Sequence, residues 1–153
     1  MAVTKTVLKK THQEAVVKVA GTAAAATIDL GVDLLPAGQS LDGATQTVNL
    51  VGLQYCGLAT STITITRNAV NILTLGAEGE GAIEFAAGAG FVDTIENTED
   101  IVVTIGGAEA QAYLILRKVG GYVTKVENAT YGSYDDETRV GASTSVSGSP
   151  DKV

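Results

Sequence analysis

The 153-residue chain has no tryptophan, one cysteine, one histidine and two prolines, and aromatic residues make up only 5% of it. Each shortage removes a class of chemistry. A single cysteine, Cys56, excludes an internal disulfide framework. It lies in the apolar run Leu53–Leu58 and reads as a buried, inert thiol. Any Ser-His-Asp arrangement would have to use His12, which sits between Lys10-Thr11 and Gln13-Glu14 and reads as a surface residue of a polar connection. One His and one Cys leave carboxylates to make up the rest of any zinc ligand set. Two Phe and five Tyr are a thin supply of the platforms that sugar-active sites use. The uncharged stretches are broken by Thr, Ser, Gln and Gly at short intervals, so no segment reads as a membrane span. At 45% hydrophobic and 18% charged, the chain is too apolar for wholesale disorder.

What is present is β-forming. Thr (19), Val (18) and Ile (9) dominate with Ala (21) and Gly (18), the composition of strands and turns. Period-two alternation recurs, and no segment longer than ten residues holds a 3.6 period. Glu14–Ala20 puts Ala15, Val17 and Val19 on one face. Ala23–Ala26 runs directly into the alternating Thr27–Leu30 and reads as a strand or irregular segment rather than a helix. Thr47–Tyr55 sets Leu53 on the face opposite Leu50. In Ser61–Leu75, Thr62, Thr64 and Thr66 alternate with Ile63, Ile65 and Arg67, Asn68-Ala69 makes a turn, and Leu73 and Leu75 return, available to meet Ile63 and Ile65.

Gly76, Gly79 and Gly81, and then Gly88 to Gly90, read as turn glycines with positive φ around a short strand Ala82–Phe85. Asp100–Ile105 reads as a strand, Gly106-Gly107 as a turn, and Gln111–Val119 as a central strand buried on both faces. About eight strands between residues 3 and 125, with turn signals every 8–12 residues, indicate an all-β fold. The expectation is a two-sheet β-sandwich, jelly-roll-like, over residues 1–126, with residues 1–12 as an N-terminal arm. Residues 127–153, rich in Ser, Gly and acids, read as an extended tail.

Charge is unevenly spread. Residues 1–20 carry +3 (Lys5, Lys9, Lys10 and Lys18 against Glu14), so the other 133 carry −10 of the net −7. The basic start reads either as a solvated Lys-bearing strand or as a seeker of acidic surfaces. The acidic remainder argues against nucleic-acid and anionic-lipid partners. The start, Met-Ala-Val-Thr-Lys, lacks the apolar core of a secretory signal, which places synthesis in a cytoplasm and makes the sequon Asn128-Ala129-Thr130 a chance match.

Phosphate cradles fail because neither glycine cluster opens a helix or leads to Gly-Lys-Ser/Thr. Asp93, Glu96, Asn97, Glu99 and Asp100 crowd one stretch with calcium-type oxygen donors, yet match no EF-hand and read as a hydrated acidic loop. Glu78, Glu80 and Glu84 offer carboxylate pairs without the rest of a glycosidase site. The reading is therefore not an enzyme, with no cofactor and no metal.

Three segments, Thr62–Leu75, Asp100–Ile105 and Leu114–Tyr122, together resemble small virion structural proteins of tailed bacteriophages, particularly phages of marine cyanobacteria. The resemblance implies a non-enzymatic capsid decoration or cement protein on the major capsid protein shell, located in the virion. Such a protein would be a homo-oligomer, with a trimer as one form. A neck, tail or baseplate component is the nearest alternative, and a carbohydrate- or receptor-binding module the next. Candidate contact residues are Lys5, Lys9 and Lys10 in the basic start, and Tyr131, Tyr134, Asp135 and Asp136 in the tail.

Overall fold

The structure is a computed structural model and describes residues 2–85 and 97–124. Every regular element among them is a strand, and every pairing is antiparallel. Eleven strands are formed: β1 (Thr4–Lys10), β2 (Glu14–Gly21), β3 (Ala24–Ile28), β4 (Gln39–Leu41), β5 (Thr47–Gly57), β6 (Thr62–Arg67), β7 (Val70–Gly76), β8 (Gly79–Glu84), β9 (Ile101–Gly106), β10 (Ala110–Gly120) and β11 (Tyr122–Thr124). The three beyond the expected eight are the edge strand β1 and the short β4 and β11.

The described residues divide into two compact units, one within Met1–Pro36 and Gly43–Gly121, the other within Ala37–Asp42 and Tyr122–Val153. In the second unit β4 pairs with β11, Tyr122 opposite Leu41. The first unit is a β-sandwich of a five-stranded sheet, β1-β2-β10-β5-β8, and a four-stranded sheet, β3-β9-β6-β7. Its pairs nest along the chain: β6 with β7, β5 with β8 outside them, then β3 with β9, and β2 with β10 outermost.

Alternation explains the interior. Ala15, Val17 and Val19 from β2, Ala112, Leu114 and Leu116 from β10, Ile63 and Ile65 from β6, and Val103 and Ile105 from β9 are fully or almost fully buried. Each such Leu, Ile or Val contributes about 1.5–3 kcal/mol by leaving water. The hairpin brings Leu73 and Leu75 to Ile63 and Ile65 as expected, with Ile63 opposite Leu75 and Ile65 opposite Leu73, and Ile72 is the extra residue of a bulge after Thr66–Asn71.

Four expectations are corrected. Leu50 and Leu53 are both buried in the core, because Val51 is an extra residue between Leu50, opposite Leu116, and Gly52, opposite Ile115. That bulge shifts the phase of β5 by one. Second, β10 is central but buried on one face only: Leu114 and Leu116 point inward, while Tyr113 and Ile115 are half-buried on the outer face. An antiparallel sheet can leave one face to water. Third, of Gly76, Gly79 and Gly81 only Gly79 has a positive φ, 81°. Gly81 lies within β8 opposite Tyr55, and a Cβ there would collide with the Tyr55 ring, so it is a close-approach glycine. Fourth, Cys56 is half-buried on β5 between Gln111 and Glu80, not enclosed.

At the tip of β6–β7, Asn68 (φ 49°) and Ala69 (φ 63°) are both left-handed, the geometry of a type I′ hairpin. Alanine carries a steric penalty there that glycine does not. Ala69→Gly is expected to stabilise the fold by about 0.5–1 kcal/mol, measured as a rise in Tm of about 2–4 °C.

Candidate interaction surfaces

The basic start is built into the sheet. Residues 4–10 form β1, which pairs with β2 from Thr4–Ala20 to Lys10–Ala15, interrupted by a bulge at Leu8. The segment is a Lys-bearing strand. Lys5 Nζ donates to Asp33 Oδ2 at 2.6 Å and to the Thr27 carbonyl at 2.8 Å, tying the edge β1 to β3. Asp33 Oδ2 also accepts from the Asp29 backbone N–H at 2.7 Å, so its carboxylate organises the turn that receives the lysine. Lys9 makes a looser ion pair with Glu14, 3.4 Å, with both side chains about half exposed. Such a pair contributes little to stability. Lys10 is exposed. The three candidate lysines thus share a strand, but only Lys9 and Lys10 are directed to solvent without a tight internal partner.

The outer face of the five-stranded sheet carries half-buried Val16, Lys18, Tyr113, Ile115 and Val51. Lys18 Nζ lies 6.0 Å from the Tyr113 ring centroid, at the limit of a cation–π contact. Tyr113 stands opposite Lys18 on one side and Gln54 on the other. Beside it, Gln54, Tyr55, Cys56, Glu80, Gly81, Ala82 and Tyr113 line a shallow cleft of about 500 Å³. The outer face of the four-stranded sheet is different. Registers place Thr27, Val102, Thr66 and Asn71 in one row and Ala25, Thr104, Thr64 and Thr74 in the next. Thr74 Oγ1 donates to Thr64 Oγ1 at 3.3 Å. These rows hold hydroxyls, methyls and one amide, and no charge.

Two cations, Arg67 and Lys118, are buried. Arg67 is 4% exposed, on the inward phase of β6 beyond Ile65. Its Nε donates to the Glu99 carbonyl at 2.9 Å, Nη1 to Val48 at 2.7 Å and Nη2 to Asn97 at 2.8 Å. The guanidinium therefore occupies carbonyls of the loop that had calcium-like composition. Asp100 Oδ1 of the same loop accepts from the Leu30 N–H at 3.0 Å, while Asp93 and Glu96 lie outside the described residues. No group of three or more His, Cys, Asp or Glu among the described residues is placed to hold a metal ion.

Lys118, also on an inward phase, donates from Nζ to the Thr11 carbonyl at 2.7 Å. Burial, with Lys10 adding like-charge repulsion, lowers its pKa from 10.5 to about 8. The folded state therefore releases this proton before the unfolded chain does, and stability from this group rises as pH climbs from about 8 towards 10.5. Lys118→Met is expected to abolish that rise, on the order of 1 kcal/mol, measured by urea unfolding at a series of pH values.

No family model and no curated protein matches the chain. Among solved structures, a candidate mannose-6-phosphate isomerase from Ralstonia eutropha JMP134 aligns with a TM-score of 0.33 at 7% identity, covering 77% of this chain and 85% of that one. The overlap is too loose to inform fold or activity.

Tyr131, Tyr134, Asp135 and Asp136 lie outside the described residues, as does Gly88 to Gly90. His12 is half-buried in the β1–β2 turn. Among the described residues no helix is long and apolar enough to cross a membrane. The sequence did carry a signal for Arg67: an arginine in phase with Ile63 and Ile65 must either flip the strand's pattern or be buried with partners. Which partners it meets depends on a segment thirty residues away.

Proposed function

We propose that the protein is a non-enzymatic structural component of a tailed-phage virion, a decoration or cement subunit bound to the major capsid protein shell. The observation that carries this reading is where the chemistry sits. The interior between the two sheets is filled mainly by Val, Leu, Ile and Ala, and its two buried cations, Arg67 and Lys118, are each held by backbone carbonyls. A sandwich with a mainly apolar interior and varied outer surfaces suits multipoint adhesion, in which several modest contacts act together. The nested pairing of β2–β10, β3–β9, β5–β8 and β6–β7 supports reading the sandwich as a jelly roll, an architecture shared by capsid and lectin domains. The charge-free Thr face favours contact with a polar, uncharged protein surface. Lys9 and Lys10 add a basic edge, and the tail, with Tyr131, Tyr134, Asp135 and Asp136 and a net charge of −3 over residues 127–153, supplies a second contact of opposite sign.

The test is sedimentation of the full chain with assembled shells of the major capsid protein, alongside composition of purified particles. Co-sedimentation and on the order of hundreds of copies per particle support decoration. About 6 or 12 copies indicate a neck or tail ring, and absence from particles sinks the virion reading. Deleting residues 127–153 is expected to weaken shell retention at least tenfold.

The carbohydrate-binding reading has one feature in its favour, the Gln54–Tyr55–Glu80–Tyr113 cleft, where two aromatic rings lie beside an amide and a carboxylate. Glycan-array binding lost in Tyr113→Ala would establish it.

A further inference from the structure

The five-stranded sheet has two edges of opposite sign. Its basic residues lie on β1 (Lys5, Lys9, Lys10), β2 (Lys18) and β10 (Arg117, Lys118), β5 carries no charge, and β8 carries Glu80 and Glu84. The edge strand β1 has three lysines and no acid; the opposite edge β8 has two glutamates and no base. Glu78, just before β8, extends the acidic side. Lys9, Lys10, Glu80 and Glu84 are all exposed. Neither edge has a further strand paired to it among the described residues.

We propose that the β1 edge of one copy docks on the β8 edge of a second copy, joining the five-stranded sheets head to tail. Sign decides the geometry. Pairing like edges, β1 to β1 or β8 to β8, places lysine against lysine or glutamate against glutamate and is repelled. Pairing unlike edges brings Lys9 and Lys10 to Glu84, with Glu80 further along the same acidic edge, level with Thr4, so the interface is heterologous and closes into a ring when the rotation allows. Strand direction is compatible. Four successive antiparallel pairings leave β1 and β8 running the same way, and rotation about an axis along the strands keeps them parallel across the contact. Lys9 and Lys10, at the end of β1, then fall level with Glu84, at the end of β8. Lys5 stays out of the interface because Asp33 and Thr27 hold it.

Lysines and a bulge on an edge also serve to prevent pairing between copies. The complementary sign of the opposite edge separates the two roles, since protection alone does not require one edge basic and the other acidic. The four-stranded sheet shows no such complement: β3 and β7 have no charged residue.

This inference goes beyond the virion reading and is tested on the isolated full chain, so failure of either leaves the other standing. Mass is measured by light scattering on size-exclusion chromatography across a concentration series. The wild type is expected to associate, and to weaken at least tenfold at about 1 M salt, where the Debye length is about 3 Å. Lys9→Glu with Lys10→Glu is expected to be monomeric, and so is Glu80→Lys with Glu84→Lys. Each variant repels its own kind, yet their β1 and β8 edges attract crosswise, so a mixture of the two is expected to recover association in rings of even copy number. That rescue also shows that both variants are folded, as does circular dichroism of each. A wild type monomeric throughout the series, an unchanged mass in either variant, or no rescue on mixing overturns the proposal.

Discussion

Arg67→Met is expected to destabilise the protein by about 3–5 kcal/mol, read as a fall in the urea unfolding midpoint. The methionine fills most of the space but leaves the carbonyls of Val48, Asn97 and Glu99 without the guanidinium that now donates to them. Buried carbonyls without partners cost about 1–3 kcal/mol each, against a total stability of roughly 5–15 kcal/mol for a domain. The Asn97 carbonyl also accepts from the Val48 N–H at 3.0 Å, and the Asn97 amide donates to Asn49 Oδ1 at 3.2 Å. Loss of Arg67 therefore loosens the start of β5 and the approach to β9 together. Amide hydrogen exchange should quicken first at Val48. Arg67→Lys is expected to recover only part of the loss, because an ammonium lacks the planar fork that reaches three separated acceptors. A cost under about 1 kcal/mol would show that water replaces the guanidinium without penalty.

The second large effect distinguishes adjacent residues of β10. Leu114→Ala is expected to cost about 3–4 kcal/mol. Leu114 is fully buried, paired with Val17 and Leu53 across the five-stranded sheet. Ile115→Ala, one position on, is expected to cost only about 1 kcal/mol. Ile115 is half-buried on the outer face, opposite Val16 and leaning over Gly52, whose missing side chain gives it room. Equal losses in the two variants would mean that the outer face is covered in the folded protein, as a strand buried on both sides would be.

That pair of neighbours marks the boundary of what sequence alone supports. The alternation in Glu14–Ala20, Ser61–Leu75 and Asp100–Ile105 specified strands and their inward faces, since a period of two leaves one choice of face once the apolar side is known. The hairpin was legible for the same reason and because its turn is only two residues long. β10 was harder: Leu114, Ile115 and Leu116 are all apolar, so composition does not say which face meets a second sheet. Val51 was illegible as a bulge, because the extra residue is defined only by the partner strand that it fails to match. The basic start was legible as charge, while its incorporation as β1 depended on pairing with β2. Of the candidate contact residues, Lys5 proved to be held by Asp33, twenty-eight residues away, a distance over which no local pattern operates.

The scarcity of His, Cys and Trp, the abundance of Thr and Val and the period of two by themselves determined an all-β chain with little catalytic equipment. Those are local properties, set by side-chain shape and by which atoms the chain possesses. Only the tertiary structure decided which faces are dry, that Arg67 and Lys118 lie inside, and that the basic β1 and the acidic β8 stand at opposite edges of one sheet. Edges and interiors are relations between distant segments, and strand order creates them.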